Sequence, residues 1–135
     1  MALDASMAVA WLFADERTAA AHGVLELTVR VGAIVPSLWR LEVANVMRNA
    51  VRRGRCDEDF VDRSLTRLGR LLIAVDEGTD TNAWGVTRTI SRDLGLTLYD
   101  AAYLELAIRA GTALATCDNE LIHAARLRSV EVLVA

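Results

Sequence analysis

Short apolar runs alternate with helically spaced stretches along the chain. Residues 2 to 5 read as the end of a short apolar strand, followed at once by a helical segment from Ser6 to Phe13 with Ser6 as its N-cap. In residues 16 to 31, Ala20, Val24, Leu27 and Val31 recur at helical spacing and Gly32 supplies a stop. AIVP is then a short strand closed by Pro36. Ser37 is read as the N-cap of a helix reaching about Arg53, with Leu38, Leu41, Val43, Val46, Met47 and Ala50 on one broad apolar face. Gly54 ends that helix, and Asp57 caps another of roughly Glu58 to Leu72, so the two make a helical hairpin at about 37–72.

LLIAV, residues 71 to 75, straddles that helix end and a strand, and a helix follows from about Asn82 to Leu94 with Gly95 as its stop. Thr97 and Asp100 form a T-x-x-D capping box for a helix from Leu98 to Ala110, stopped by Gly111. ALATC, residues 113 to 117, reads as a buried strand, a short helix covers Glu120 to Leu127, and VEVLV closes the chain as a strand. Short strands alternating with helices predict an α/β domain, a central, mainly parallel sheet of four to five short strands covered on both faces. In such a sheet the ligand site lies beyond the carboxyl ends of the strands.

Composition narrows this picture. With 135 residues, 53% of them hydrophobic, the chain fits one domain spanning 1–135 with a sizeable core. No apolar stretch approaches the roughly 20 residues of a membrane helix, and the start lacks a basic leader, so no membrane association is expected. Cys56 and Cys117 form no C-x-x-C pair and are too few for a disulfide framework, which suits a cytoplasmic setting. The net charge is −3 and all 15 basic residues are arginine. Without lysine, a phosphate-loop nucleotidase, a haloacid-dehalogenase-like phosphatase or a response-regulator receiver would lack an expected phosphate contact.

Asp4, Glu42, Asp100 and Asp118 each stand inside or beside an apolar run. Carboxylates in such surroundings are ordinarily paired, hydrogen-bonded or metal-bound. Asp4 and Asp118 fall at strand carboxyl ends by sequence order alone. Carboxylates gathered within a few ångströms cannot all ionise without a cation, and oxygen-only ligation favours Mg2+ or Mn2+ over zinc. Phosphodiester hydrolysis is the natural chemistry of such a site. Structural alternatives stand beside this one: Asp100 in its capping box and Asp118 before a helix both serve as caps. Glu42 is harder to explain, since its neighbours three and four residues away, Leu38, Trp39, Asn45 and Val46, include no base. Asn45 shares its face and is placed to hydrogen-bond its carboxylate.

LDAS at 3 to 6, LEVANVM at 41 to 47, LTLYDAAYLELA at 96 to 107 and ATCDNEL at 115 to 121 follow one another in an order that resembles the PIN-domain ribonucleases, and within them VapC-type toxins. LTLYDAAYLELA is the most specific of these segments. The resemblance implies a three-layer α/β/α sandwich, Mg2+-dependent endonucleolytic cleavage of RNA, a homodimer, and inhibition by a cognate antitoxin protein that lays a peptide across the acidic site. It also implies that Asp4, Asp100, Glu42 and Asp118 are the metal-binding acids, with Ser6 and Thr116 orienting waters or the Asp4 carboxylate.

Two further readings remain open on the residues alone: a PIN-like binding module without turnover, and a metal-dependent enzyme acting on DNA or other phosphate esters. Arg48, Arg52 and Arg53 cluster where a phosphate backbone would be held, or form an ordinary solvated face diluted by nearby acids. Trp11, Trp39 and Trp84 are assigned to core or partner contacts before nucleobase stacking. Asp76, Glu77 and Asp80 read as a solvated acidic loop. A mean hydropathy of +0.28 suggests apolar surface left over for a partner.

Overall fold

The computed structural model describes residues 1–134. Strands β1 (Ala2–Leu3), β2 (Ala33–Val35), β3 (Ile73–Val75), β4 (Leu114–Ala115) and β5 (Val132–Leu133) form one sheet in the order β3-β2-β1-β4-β5. Every neighbouring pair is parallel. The helices are α1 (Ala5–Leu12), α2 (Ala19–Val31), α3 (Trp39–Arg52), α4 (Glu58–Gly69), α5 (Thr79–Asn82), α6 (Val86–Leu94), α7 (Leu98–Ala110) and α8 (Asn119–Leu127). Together they make the three-layer α/β/α arrangement.

β1 is short but central. Ala2 pairs with Ile34 of β2 on one side and with Leu114 of β4 on the other, and Leu3 pairs with Ala115. The chain builds outward from β1 first toward β3 and later toward β5, so the strand order reverses beside β1. That reversal opens a crevice at the carboxyl ends of β1 and β4. Leu3, Val35 and Leu114 are fully enclosed, as a sheet covered on both faces requires. α7 carries an unbroken buried run from Ala101 to Ala107 and α1 is buried over nearly all its length. A helix apolar all round belongs inside a domain, and these two pack within the core beside the central strand.

Several local expectations are corrected. Ser6 is not an N-cap: α1 starts one residue earlier, Asp4 occupies the cap position, and the Ser6 hydroxyl is used elsewhere. Ser37 does not cap α3, whose cap position is Leu38; its N–H instead donates to Thr79 Oγ1 at 3.3 Å and its hydroxyl to Asp80 Oδ1 at 3.4 Å. α2 begins only at Ala19, capped by Thr18, because residues 14 to 16 form a separate 3-10 turn. The helix expected over 82–94 starts only at Val86, as α6, and the short α5 lies ahead of it, mostly in the segment read as a loop. The broad apolar face of α3 divides as well. Trp39, Val43, Met47 and Ala50 are buried, whereas Leu41 is 76% exposed and Val46 faces solvent. Asp57, Gly95, Thr97 and Gly111 cap as their positions suggested.

This division of α3 is testable by denaturant unfolding. Met47→Ala, which empties a fully enclosed position, is expected to cost about 2–5 kcal/mol. Leu41→Ala should stay within about 0.5 kcal/mol of the parent.

Candidate active site

Four helices begin at one edge of the molecule, and each carries an acid at its start. Asp4 occupies the cap position of α1, Glu42 lies in the first turn of α3, Asp100 in the first turn of α7, and Asp118 caps α8. Helix N-termini present unpaired N–H groups and a partial positive charge, the backbone's own provision for negative groups. The cap reading is therefore correct for Asp118, whereas at α7 the capping side chain is that of Thr97. Asp118 Oδ1 accepts the Leu121 N–H at 2.8 Å, and Thr97 Oγ1 accepts the Asp100 N–H at 3.1 Å. Capping does not exhaust these acids, because their charges are felt by one another.

Asp4 is the most tightly held. Ser6 Oγ donates to its Oδ2 at 2.5 Å and Thr116 Oγ1 donates to the same oxygen at 2.7 Å. Each hydroxyl accepts a backbone N–H in turn, Cys117 N to Ser6 Oγ at 2.9 Å and Asp118 N to Thr116 Oγ1 at 3.0 Å. With an acceptor site taken by the backbone, each hydroxyl has its single proton directed at the carboxylate. The turn after β4 thus orients the acid at the end of β1.

Burial pushes the Asp4 carboxyl above its ordinary range, and the charge of Asp118 adds to this against the two hydroxyls and the Ala5 N–H. Burial likewise raises Glu42, with Asp4 and Asp100 contributing. Asp100 is pushed up to about 6 by burial first and then by Asp118 and Asp4. Tyr103, fully enclosed on α7, is driven upward by burial and by the charges of Glu42 and Asp4. Its hydroxyl favours the Glu42 carboxylate without closing a hydrogen bond, and both Tyr103 OH and Glu42 Oε1 are buried without a partner.

Among the described residues, no three His, Cys, Asp or Glu side chains already stand within reach of a single metal position. The donor set nonetheless fits a hard divalent cation. It is all oxygen, the pKa values of Asp4, Glu42 and Asp100 are raised in part by neighbouring acids, and Glu42 Oε1 is an orphaned buried acceptor. A magnesium ion needs only one or two carboxylates, with water completing its shell.

Beside the acids, Leu38, Leu41, Glu42, Asn45, Arg48 and Tyr99 border an open groove of about 800 Å³. Asn45 lies in that groove, exposed, and makes no hydrogen bond to Glu42. Arg48 also borders it and lies 4.0 Å from Glu58. Arg52, the last residue of α3, and Arg53, just beyond it, are exposed and do not line it.

Residues 1–127 match the sequence profile of the PIN domain. The chain belongs to the PIN-domain family. Ribonuclease VapC3 of Pyrobaculum aerophilum is 28% identical over 121 residues, covering 90% of this chain and 91% of that protein. The crystal structure of PAE2754 from Pyrobaculum aerophilum superposes with a TM-score of 0.66 at 26% identity, over 90% of this chain and 82% of its own. The four acids of this PIN domain and the hydroxyls of Ser6 and Thr116 all fall within the matched residues.

Sequence reasoning missed two parts of this PIN domain. Tyr103 lay unremarked inside LTLYDAAYLELA, where a tyrosine in an apolar run signals a hydroxyl seeking a partner. The acidic loop is also not simply solvated. Arg109 donates to both oxygens of Asp76, at 3.0 and 2.6 Å, and to Glu105 Oε1 at 2.6 Å. Asp76 Oδ2 accepts from Thr79 Oγ1 at 3.2 Å, and Thr79 in turn receives the Ser37 N–H just ahead of α3. A polar chain therefore links α7, carrying Asp100, to the start of α3, carrying Glu42. The i,i+4 spacing of Glu105 and Arg109 was its one legible signal.

The raised Asp100 fixes a sign for pH dependence. Its folded-state pKa of about 6 exceeds the 3.8 of an ordinary aspartate, so its favourable contribution is present below the lower value and is lost as pH rises through the higher one. In metal-free buffer, Asp100→Asn should gain thermal stability relative to the parent between pH 4 and 6.5. A melting-temperature difference that stays flat over that range would contradict the placement of Asp100. Thr116→Val should cost about 1–3 kcal/mol in chemical unfolding, since it leaves Asp4 Oδ2 and the Asp118 N–H short of a partner.

Proposed function

We propose that this PIN domain is a metal-dependent endoribonuclease acting as the toxin of a toxin-antitoxin pair. The observation that carries the reading is the Asp4 carboxylate, aimed by two backbone-anchored hydroxyls into a site it shares with Glu42, Asp100 and Asp118. Family membership and the likeness to Ribonuclease VapC3 support RNA as the polymer cut. In this reading Asp4, Glu42, Asp100 and Asp118 hold Mg2+ or Mn2+.

The chemistry such a cation supplies when bound is charge neutralisation at the phosphate and a water acidic enough to attack it near neutral pH. The chain's own residues do the rest. Ser6 and Thr116 fix Asp4 in one orientation, so its outward oxygen is presented without rotamer searching. Glu42 and Asp100 bring negative charge from two different helices, α3 and α7, and the enclosed Tyr103 sets its hydroxyl near Glu42. Arg48, at the rim of the adjoining groove, supplies a cation for the RNA backbone, with Arg52 and Arg53 at the end of that helix.

A cognate antitoxin protein, a homodimer and a cytoplasmic location complete the proposal. The exposed Leu41 and Tyr99 beside the acids give a peptide partner apolar surface to cover. No helix among the described residues is long and apolar enough to cross a membrane.

Asp4→Asn is expected to abolish cleavage of a single-stranded RNA in Mg2+ while leaving the circular dichroism spectrum and unfolding midpoint close to the parent's. Parallel digestion of DNA and of a phosphomonoester should give no product. An Asp4→Asn variant that cuts RNA at the parental rate would overturn the assignment.

A further inference from the structure

Of the three tryptophans, Trp11 and Trp39 are buried in the core, whereas Trp84 is 88% exposed. Leaving an indole in water forgoes one of the largest burial gains available to any side chain. Its location follows from the break between α5 and α6. The chain turns at residues 83 to 85 and projects Trp84 outward just ahead of α6.

The surroundings of Trp84 are basic and polar. Arg88 Nη1 donates to the Trp84 carbonyl oxygen at 3.4 Å, which ties a guanidinium to the backbone of the residue that carries the indole. Arg88, Thr89, Ser91, Arg92 and Leu98 line an open depression of about 510 Å³ with it. Arg92 contacts Asp93 at 3.1 Å, an exposed pair that water and salt weaken readily. Leu98 is followed by Tyr99, which is 64% exposed and borders the groove containing Glu42, and then by Asp100. The depression and the groove thus end on consecutive residues, Leu98 and Tyr99, at the start of α7.

We infer that Trp84, with Arg88 and Arg92, forms a platform on which single-stranded RNA stacks a base while its backbone continues past Tyr99 to the acids. The inference rests on the ribonuclease reading and adds to it a binding element outside the acid cluster. An exposed ring flanked by arginines is the general device for binding single strands, since every base offers a π-face and every nucleotide a phosphate.

The test uses the full chain carrying Asp4→Asn, so that RNA stays intact, with a short single-stranded oligoribonucleotide in magnesium buffer. Trp84 is the exposed indole, so its long-wavelength emission should be quenched by the single strand and not by a duplex of the same sequence. Trp84→Ala should weaken binding about tenfold. Trp84→Phe should recover most of the affinity, and Arg88→Gln should lower the salt slope of binding by about one unit.

Parental affinity in Trp84→Ala would overturn the inference. So would sedimentation showing self-association that Trp84→Ala abolishes, with no change in RNA binding. If the wild-type chain cuts RNA while Trp84→Ala binds and cuts equally well, the platform fails and the ribonuclease reading stands. If wild type neither binds nor cuts RNA, both fail.

Discussion

Four carboxylates are kept at one end of a small domain by the direction of its helices. In an all-parallel sheet each strand ends where the next helix begins, so strand carboxyl ends and helix N-termini gather on the same side. α1, α3, α7 and α8 place Asp4, Glu42, Asp100 and Asp118 in their first turns or at their caps. Each partial positive charge and free N–H there offsets some of the cost of holding a carboxylate among apolar neighbours. The offset is incomplete, as the elevated Asp4, Glu42 and Asp100 show. A site built this way retains an electrostatic demand for a cation.

The central strand makes the arrangement specific. β1 is paired on both sides, so the end of Leu3 has little freedom, and Asp4 follows immediately. The neighbouring β4 turn contributes both a hydroxyl and the N–H groups that aim the hydroxyls. Orientation at Asp4 therefore comes from sheet register more than from side-chain packing. It also explains why Ser6 is no helix cap: its oxygen bridges two strand ends instead.

Much of the fold and of the acid set could be read from sequence, for identifiable reasons. Strand runs such as AIV and the glycine stops at 32, 95 and 111 are local signals and appear where expected. The acids stood out because charge is rare in apolar segments. What could not be read is tertiary. The solvent exposure of Leu41 and Val46 depends on which side of α3 the sheet lies, and spacing alone gave α3 one apolar face too broad. Ser37 looked like a cap because nothing local reveals that Thr79 and Asp80 fold back to meet it. The Asp76 contact spans 33 residues and left no mark in the sequence.

The Arg109 chain also bears on how the sequence can vary. A side chain at Gly78 would place its Cβ 2.6 Å from Arg109 Nη1, and Glu105 is buried with Arg109 as its counter-charge. A larger residue at 78 requires the guanidinium to move, and a shorter residue at 109 strands the Glu105 carboxylate in the interior. Positions 76, 78, 105 and 109 thus constitute one physical unit, in which a change at any one of them alters the surroundings of the others.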